Sequence, residues 1–578
     1  MRIVNNFKLV EMMNSIYQLH DAQHAACPGI QLEIASEKKQ GMAWRFVYRC
    51  KICKFKSPEY KLFTEIEQSH KPGPNPALIN RDLQSVLLDT PMGPTRTRVL
   101  LSGLDIPPPT ATGMRRTANK VAEQVTQLAT EDMNERLEEV KATKLARGDN
   151  RPDVIDVSVD ARYNAIGFGS TKKPGQRASQ AYSIAMEKNT EMEYIVAMAV
   201  ENKLCWTGAW LRGEGYEVQC PGGHEGCTAN LAAVAPHSEF EMGKAMAENI
   251  FMKGMLVRYA VTDGDAKSAA GFNSFCSKLI PQWKVTRMAD TVHLSSTQFK
   301  HCNNAVFSRD MFPDASTKAD YNTRRLLLSK DVRARCNAIC KELMNISNGD
   351  LTHVTCKIPR IIDATLACYA DDHSKCLLDS VVCTGDVTDN WWTRSKFLGP
   401  NQLPPLQMNE NDKKLMADIL KMRLSEQAFQ LTRYGYTTQK NEAFNRSCGV
   451  NLPKNVNYSR NFSARVSSTI LKYNCGIAES IRKKRHRISG GINYSVQANT
   501  ALDRLNKEFN FHREYSKRPE VTKKRHLRRG YMEKAHYQYK QSGRVSDYKK
   551  GQLDKADHSY SQDPEHSNDE RPSTSGLA

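Results

Sequence analysis

Residues 153–163, DVIDVSVDARY, alternate strictly, with Ile155, Val157 and Val159 on one side and Asp156, Ser158 and Asp160 on the other. That is the period of a β-strand, and the segments that follow it narrow the fold class. QAYSIAMEK (180–188) and EYIVAMAVENKLC (193–205) read as two more strands, EFEMGKAMAENIFMKGM (239–255) as a helix and LVRYAVTD (256–263) as a strand. AKSAAGFNSFCSKLI (266–280) then reads as a helix and KVTRMA (284–289) as a short strand. Three successive strands, then helix, strand, helix, strand is the element order of an RNase H-like fold, an α/β sheet with helices on its faces. The first part of this core is expected over 151–295.

The rest of the chain is organised around that sheet. Residues 296–435 are helical by pattern, as with Leu415, Ile419 and Met422 at i, i+4 and i+7, and form an insertion. The core resumes over 436–476, where TTQKNEAFNRS reads as a helix with Thr438 at its N-cap. Residues 1–68 hold the strand candidates IQLEIA and WRFVYRC around Cys and His residues, a small β-rich zinc module. Residues 69–150 open with a linker broken by three prolines and a glycine, SHKPGPNPALIN, and continue as short helical runs between turn signals, which read either as a helix-turn-helix DNA-binding domain or as ordinary short helices joined by Pro/Gly turns. From 477 to 578 the chain is polar, basic and then acidic, and is expected to be disordered.

Charge narrows the partners. The 83 Lys plus Arg exceed the 63 Asp plus Glu by 20, which favours polyanions. The excess is concentrated: residues 482–550 hold 20 basic and 6 acidic side chains, whereas 551–578 hold 2 and 6, so the tail reads as an electrostatic arm. RKKRHR (482–487) and KKRHLRR (523–529) fit nuclear import signals or solvated charge runs. No apolar run approaches the ~18 residues of a membrane span, and MRIVNNFKLVEMMNSIY lacks a signal-peptide core. A soluble, intracellular protein is expected, with its 16 cysteines reduced and used as metal ligands or buried.

The acids carry the chemistry. Asp160 lies near the end of the first strand of the sheet, Asp263 ends the fourth strand before Gly264, and Glu442 lies 179 residues further on, on a helix. If that helix packs across the sheet, the three converge. Clustered carboxylates suit Mg²⁺ or Mn²⁺, and two such ions could activate a water or a 3′-hydroxyl for in-line phosphoryl displacement. TDGD leaves Asp263 and Asp265 as rivals, and acids before glycine are ordinary turn residues.

VSVDARYN, RYAVTDGDAKS and YGYTTQKNEAFNRSCGVNLPK resemble the three acidic blocks of transposases of Mutator-like elements, and DTVH (290–293) resembles the Asp/Cys-x-x-His motif of that family. The resemblance spans roughly residues 20–460. It implies Asp160, Asp263 and Glu442 as catalytic acids, with His293 near the site. Where relatives often read Asp-Gly-Thr-Trp, this chain has Asp160-Ala161-Arg162-Tyr163, which keeps the ligand and changes its neighbours.

Three Cys/His sets have metal-ligand spacing. His24 and Cys27 with Cys50 and Cys53 form two close pairs suited to tetrahedral Zn²⁺, with His20 as a competing ligand. Cys368, His373, Cys376 and Cys383 crowd one short stretch, which resembles a cluster in the insertion of the same family. Cys205, Cys220, His224 and Cys227 form a third set, for which a hairpin with buried thiols is the alternative. Four protein ligands leave no open position, so these sites are structural.

Two further signals carry less. GFGSTKK (167–173) lacks the G-x-x-x-x-G-K-[ST] spacing and reads as a hairpin turn, while NWWTRSKF (390–397) suits a core or stacking on DNA. The resulting expectation is a DDE-type DNA transposase. It would use Mg²⁺ or Mn²⁺ for chemistry and Zn²⁺ for structure, bind double-stranded transposon ends and target as a homo-oligomer, and act in the nucleus. The rivals are a domesticated, catalytically inactive nuclear DNA-binding zinc protein and a nuclease without strand transfer.

Overall fold

The computed structural model describes residues 1–67, 73–164, 178–264, 266–347, 352–386, 388–399 and 402–541. Two compact units divide the chain, Met1–Tyr494 and a second one beginning at Ser495.

A three-stranded antiparallel sheet opens the first unit: β1 (Leu32–Gln40), β2 (Ala43–Cys50) and β3 (Tyr60–Lys61). A helix that the sequence reading left out precedes it, Asn6–Gln23, with Asn5 capping its first turn. Its buried face is Met12, Ile16 and His20, spaced four apart, and it packs with Trp44, Phe46 and Phe55.

The central sheet has five strands, β4 (Val154–Asn164), β5 (Gln180–Glu187), β6 (Ile195–Asn202), β7 (Leu256–Thr262) and β8 (Thr286–Ala289), in the spatial order β6-β5-β4-β7-β8. β4, β5 and β6 run antiparallel, whereas β7 is parallel to β4 and β8 to β7. Ile155, Val157 and Val159 pack on one face with Met242, Met246 and Phe272 from the helices Glu239–Phe251 and Lys267–Leu279. These helices touch backbone to backbone: a Cβ at Gly243 would lie 2.4 Å from the Ser268 carbonyl oxygen, and one at Gly271 2.1 Å from that of Phe240.

The other face of the sheet is buried too. The helices Gln439–Asn451 and Phe462–Cys475 cover Tyr182, Ile184 and Met186 with Phe444, Phe462 and Val466. Asp156 and Ser158, on the polar side of the alternation, therefore lie under protein and not in water.

Between β8 and the helix Gln439–Asn451 runs a helical excursion with its own core, built on Leu328, Val332, Ile339, Ile361 and Phe429. In its helix Glu410–Lys421 the buried residues are Asp412, Met416, Ile419 and Leu420, so of the expected stripe Ile419 is buried and Leu415 lies at its margin. Trp391 and Trp392 serve this core: their indole nitrogens donate to Asp331, at 3.1 Å, and to the Cys368 carbonyl, at 2.6 Å.

Two segments differ from expectation. Residues 73–150 are helical as expected, in Leu78–Leu87, Pro94–Gly103 and Ala111–Ala146, but the last is not a short run: 36 residues long, it packs Val121 and Val125 against Ala464 and Leu471. Residues 477–489 are helical, and RKKRHR belongs to this packed helix. Its Lys484 is fully buried against Asp89 and Ser468, Lys483 reaches Asp132 at 3.0 Å, Arg485 reaches Asp82 at 3.0 Å, and Arg487 pairs with Glu131. These four bases each meet an acid more than 340 residues away, so this part of the run is an ion-paired seam and not a solvated arm. In the second unit the expected disorder gives way to two helices, Val496–Tyr515 and Pro519–Gln541. Among the described residues no helix is long and apolar enough to cross a membrane.

Candidate active site

Parallel pairing of β4 with β7 sets Ser158 opposite Val261. Two residues on, and on the same face, come Asp160 and Asp263, so the register alone brings both aspartates abreast at the carboxyl end of neighbouring strands. Asp265, the rival of Asp263, lies outside the described residues, as does GFGSTKK.

The helix Gln439–Asn451 is seated over this edge by two asparagines four apart. Asn441 exchanges hydrogen bonds with Ser158, accepting from the hydroxyl at 2.6 Å and donating to the carbonyl at 3.1 Å. Asn445 donates to Asp160 Oδ2 at 2.8 Å and accepts from the Tyr182 hydroxyl at 2.8 Å. Glu442 lies between them in sequence, half-buried, with Gln439 donating to its Oε1 at 3.3 Å and the Arg446 guanidinium forming an ion pair with its Oε2 at 3.7 Å. Thr438 holds the N-cap position as expected, but its hydroxyl donates to Asp290 instead of capping the helix.

Asp290 is the hub of the DTVH motif. It accepts from the Val292 and His293 amides at the start of the helix Thr291–Asn304, and from both the amide and hydroxyl of Thr438. Burial would raise its carboxyl, yet these donors hold it below the usual aspartate value. His293 Nδ1 lies 3.0 Å from Asp290 and its Nε2 3.6 Å from Glu442 Oε1. Burial opposes its charge, but Asp290, then Asp263 and Glu442, keep the imidazole above its ordinary value.

Burial first, and then the charges of Asp263, Glu442 and Glu239, push the Asp160 carboxyl up to about 6 against the Asn445 amide. The structure thus gathers Asp160, Asp263, Glu442 and His293 at one sheet edge. It adds a fourth acid that sequence reasoning missed, Glu239, the first residue of its helix, which accepts from the Tyr163 hydroxyl at 2.7 Å. A glutamate after the N-cap Ser238 looks like ordinary helix-start chemistry, and only the position of that helix against β4 sets it apart. A cluster of carboxylate oxygens fits a hard divalent cation.

The three Cys/His clusters each bring four ligand atoms within 4.8 Å of one another. Two contain the expected residues: Cys205, Cys220, His224 and Cys227, and Cys368, His373, Cys376 and Cys383. In the first cluster the histidine is His20 and not His24. His20 is 2% exposed on the inward stripe of its helix, with Nε2 3.2 Å from Cys53 Sγ, whereas His24 is the C-cap residue, past the last turn. The donors favour zinc. Backbone amides prepare the thiolates: the contact to Gln31, with those to Cys53 and Ile52, lowers Cys50 to about 6. Against burial, the Thr228 and Gly208 backbones lower Cys205 to about 6 as well.

A Mutator-like transposase family model matches residues 1–383, and the chain belongs to that family. Glu442 lies beyond the matched stretch, so its place at the site rests on the contacts above. No curated protein matches the chain. Among solved structures, a Drosophila P element transposase strand transfer complex aligns with 68% of this chain and 93% of its own at 12% identity, with a TM-score of 0.23, below that of a shared fold.

Proposed function

We propose that this protein is a DDE-type transposase in which Asp160, Asp263 and Glu442 hold Mg²⁺ or Mn²⁺ for cleavage and strand transfer at transposon ends. The observation that carries the reading is the register of β4 on β7, which sets Asp160 and Asp263 side by side beneath the helix of Glu442. The strand order β6-β5-β4-β7-β8, three antiparallel and then two parallel, supports reading the sheet as RNase H-like. When bound, the cation would supply an activated water or 3′-hydroxyl and stabilise the leaving oxygen.

The chain's own groups have separable tasks. Asn445 orients Asp160, Asp290 fixes the ring of His293, and His293 places its Nε2 beside Glu442. The three Cys/His clusters would carry structural zinc. The N-terminal module and the helices of 78–146 would grip double-stranded ends, and KKRHLRR on the exposed face of Pro519–Gln541 would add salt-sensitive affinity and nuclear import. Pairing of two ends calls for a homo-oligomer on DNA.

The test is Mg²⁺-dependent cleavage of a duplex carrying the element's ends, with joined products assayed separately. Activity of the wild type that is lost in Glu442→Gln is the expected result. Equal activity of the two removes the catalytic assignment, and inactivity of both with intact DNA binding leaves a domesticated DNA-binding protein.

A further inference from the structure

A cavity of about 940 Å³ lies apart from the acidic cluster: none of Asp160, Asp263, Glu442 or His293 lines it. Its walls come from residues 91–96, the helix Ala111–Ala146, the helix Trp206–Gly213 and residues 456–461, and its size is that of sites for sizeable organic ligands. Trp206 and Trp210 are 72% and 60% exposed. Four residues apart on one helix, they lie side by side on one face. Two exposed indoles on a cavity rim mark a binding surface and not a core.

The helix that presents them is pinned by the cluster of Cys205, Cys220, His224 and Cys227. Cys205 Sγ accepts from the Gly208 amide at 3.3 Å, and a Cβ at Gly208 would lie 2.6 Å from Cys220 Sγ and 2.8 Å from His224 Nε2. Opposite stand cations. Arg96, Arg115 and Arg460 line the cavity and are exposed, and no Asp or Glu lines it. Arg96 and Arg115 form no ion pair among the described residues. Buried Arg465 donates to the Thr90 and Met92 carbonyls and so holds the near wall in place.

Flat aromatic faces beside unpaired guanidiniums are the chemistry that takes unstacked bases and their phosphates. We propose that this cavity binds unpaired nucleotides of a DNA strand, with bases on Trp206 and Trp210 and phosphates on Arg96 and Arg115. A free nucleotide offers the same chemistry, but paired indoles favour successive bases of one strand. The inference deepens the DNA-binding reading above and is independent of the carboxylates.

The experiment uses the full-length, zinc-loaded protein without Mg²⁺ or Mn²⁺, so that cleavage plays no part. Anisotropy compares a blunt duplex, the same duplex with a four-thymidine 3′ tail, and ATP as the free nucleotide. The tail should tighten binding, and W206A/W210A should remove that gain, roughly tenfold or more, while blunt-duplex binding and zinc content stay unchanged. W206F/W210F should restore most of it. No gain from the tail, or a gain that survives W206A/W210A, overturns the proposal, and ATP binding as tight as the tail overturns the strand assignment. If the alanine variant loses zinc, Arg96→Ser with Arg115→Ser supplies the same reading, and unchanged tail binding there overturns the proposal as well.

Discussion

Two groups of partly buried acids lie in the first unit of this chain, and their surroundings are opposites. Along the helix Ile477–Ser489, Asp82, Asp89, Glu131 and Asp132 each face a lysine or arginine. At the edge of the central sheet, Asp160 meets Asp263, Glu442 and Glu239, three charges of its own sign. Acids in the seam are matched within the fold, although burial still pushes Asp82 up to about 6 with Arg485 offsetting part of the effect. Acids at the sheet edge repel one another, with His293 and Arg446 close to Glu442, an arrangement that costs stability and suits an added cation. Matched charge marks architecture here, and mismatched charge is what the proposed cation site would use.

The largest effect should come from the sheet edge: Asp160→Asn or Glu442→Gln is expected to reduce Mg²⁺-dependent cleavage on the order of 10³-fold or more, while Asp89→Ala leaves activity per folded molecule unchanged. A seam acid as important to cleavage as Asp160 would break the contrast. Next comes stability. Asp89→Ala strands the buried ammonium of Lys484, whose own pKa burial already lowers, and should cost about 3–5 kcal/mol in denaturant unfolding. Replacing both partners with apolar residues, as in Asp89→Leu with Lys484→Met, should recover most of that loss.

Asp160→Asn should behave in the opposite way. Its folded carboxyl is raised from 3.8 to about 6, so the stability linked to its proton is complete below pH 4 and is lost as pH rises through 6. In metal-free protein at pH 7.5 the asparagine variant should therefore be more stable than wild type by about 2 kcal/mol, with the difference gone at pH 4 and diminished by added Mg²⁺. A destabilised variant at pH 7.5 would sink the idea that Asp160 is held against repulsion. The smallest effect concerns a supporting group: Asn445→Ala should weaken Mg²⁺ affinity roughly tenfold with little change in melting temperature.

How much of this could be read beforehand follows from the range of the interactions. The five strands were legible because alternation is local, and so were Asp160, on the polar side of the first, and Asp263, just past the end of the fourth. His20 was harder to choose over His24, because the choice depends on which stripe of an overlooked helix faces β2. RKKRHR looked solvated because the partners of Lys483, Lys484, Arg485 and Arg487 lie 351 to 403 residues away, and no local pattern records them. Glu239 gave no signal beyond a helix start, since its role comes from a helix packed against the first strand's tyrosine.

The Asp290 carboxylate has a consequence for how the chain can change. It binds the start of the helix after β8 and, 148 residues later, Thr438 at the start of the helix bearing Glu442. The Thr291 amide reaches the Tyr436 carbonyl at 3.4 Å beside it, so the whole excursion leaves and rejoins the sheet through one narrow neck. The excursion is thus tied at both ends to the same carboxylate, and Arg433 and Tyr434 near its close also rest on Tyr259 of β7, so a change of length inside it reaches the acidic cluster only through these few contacts.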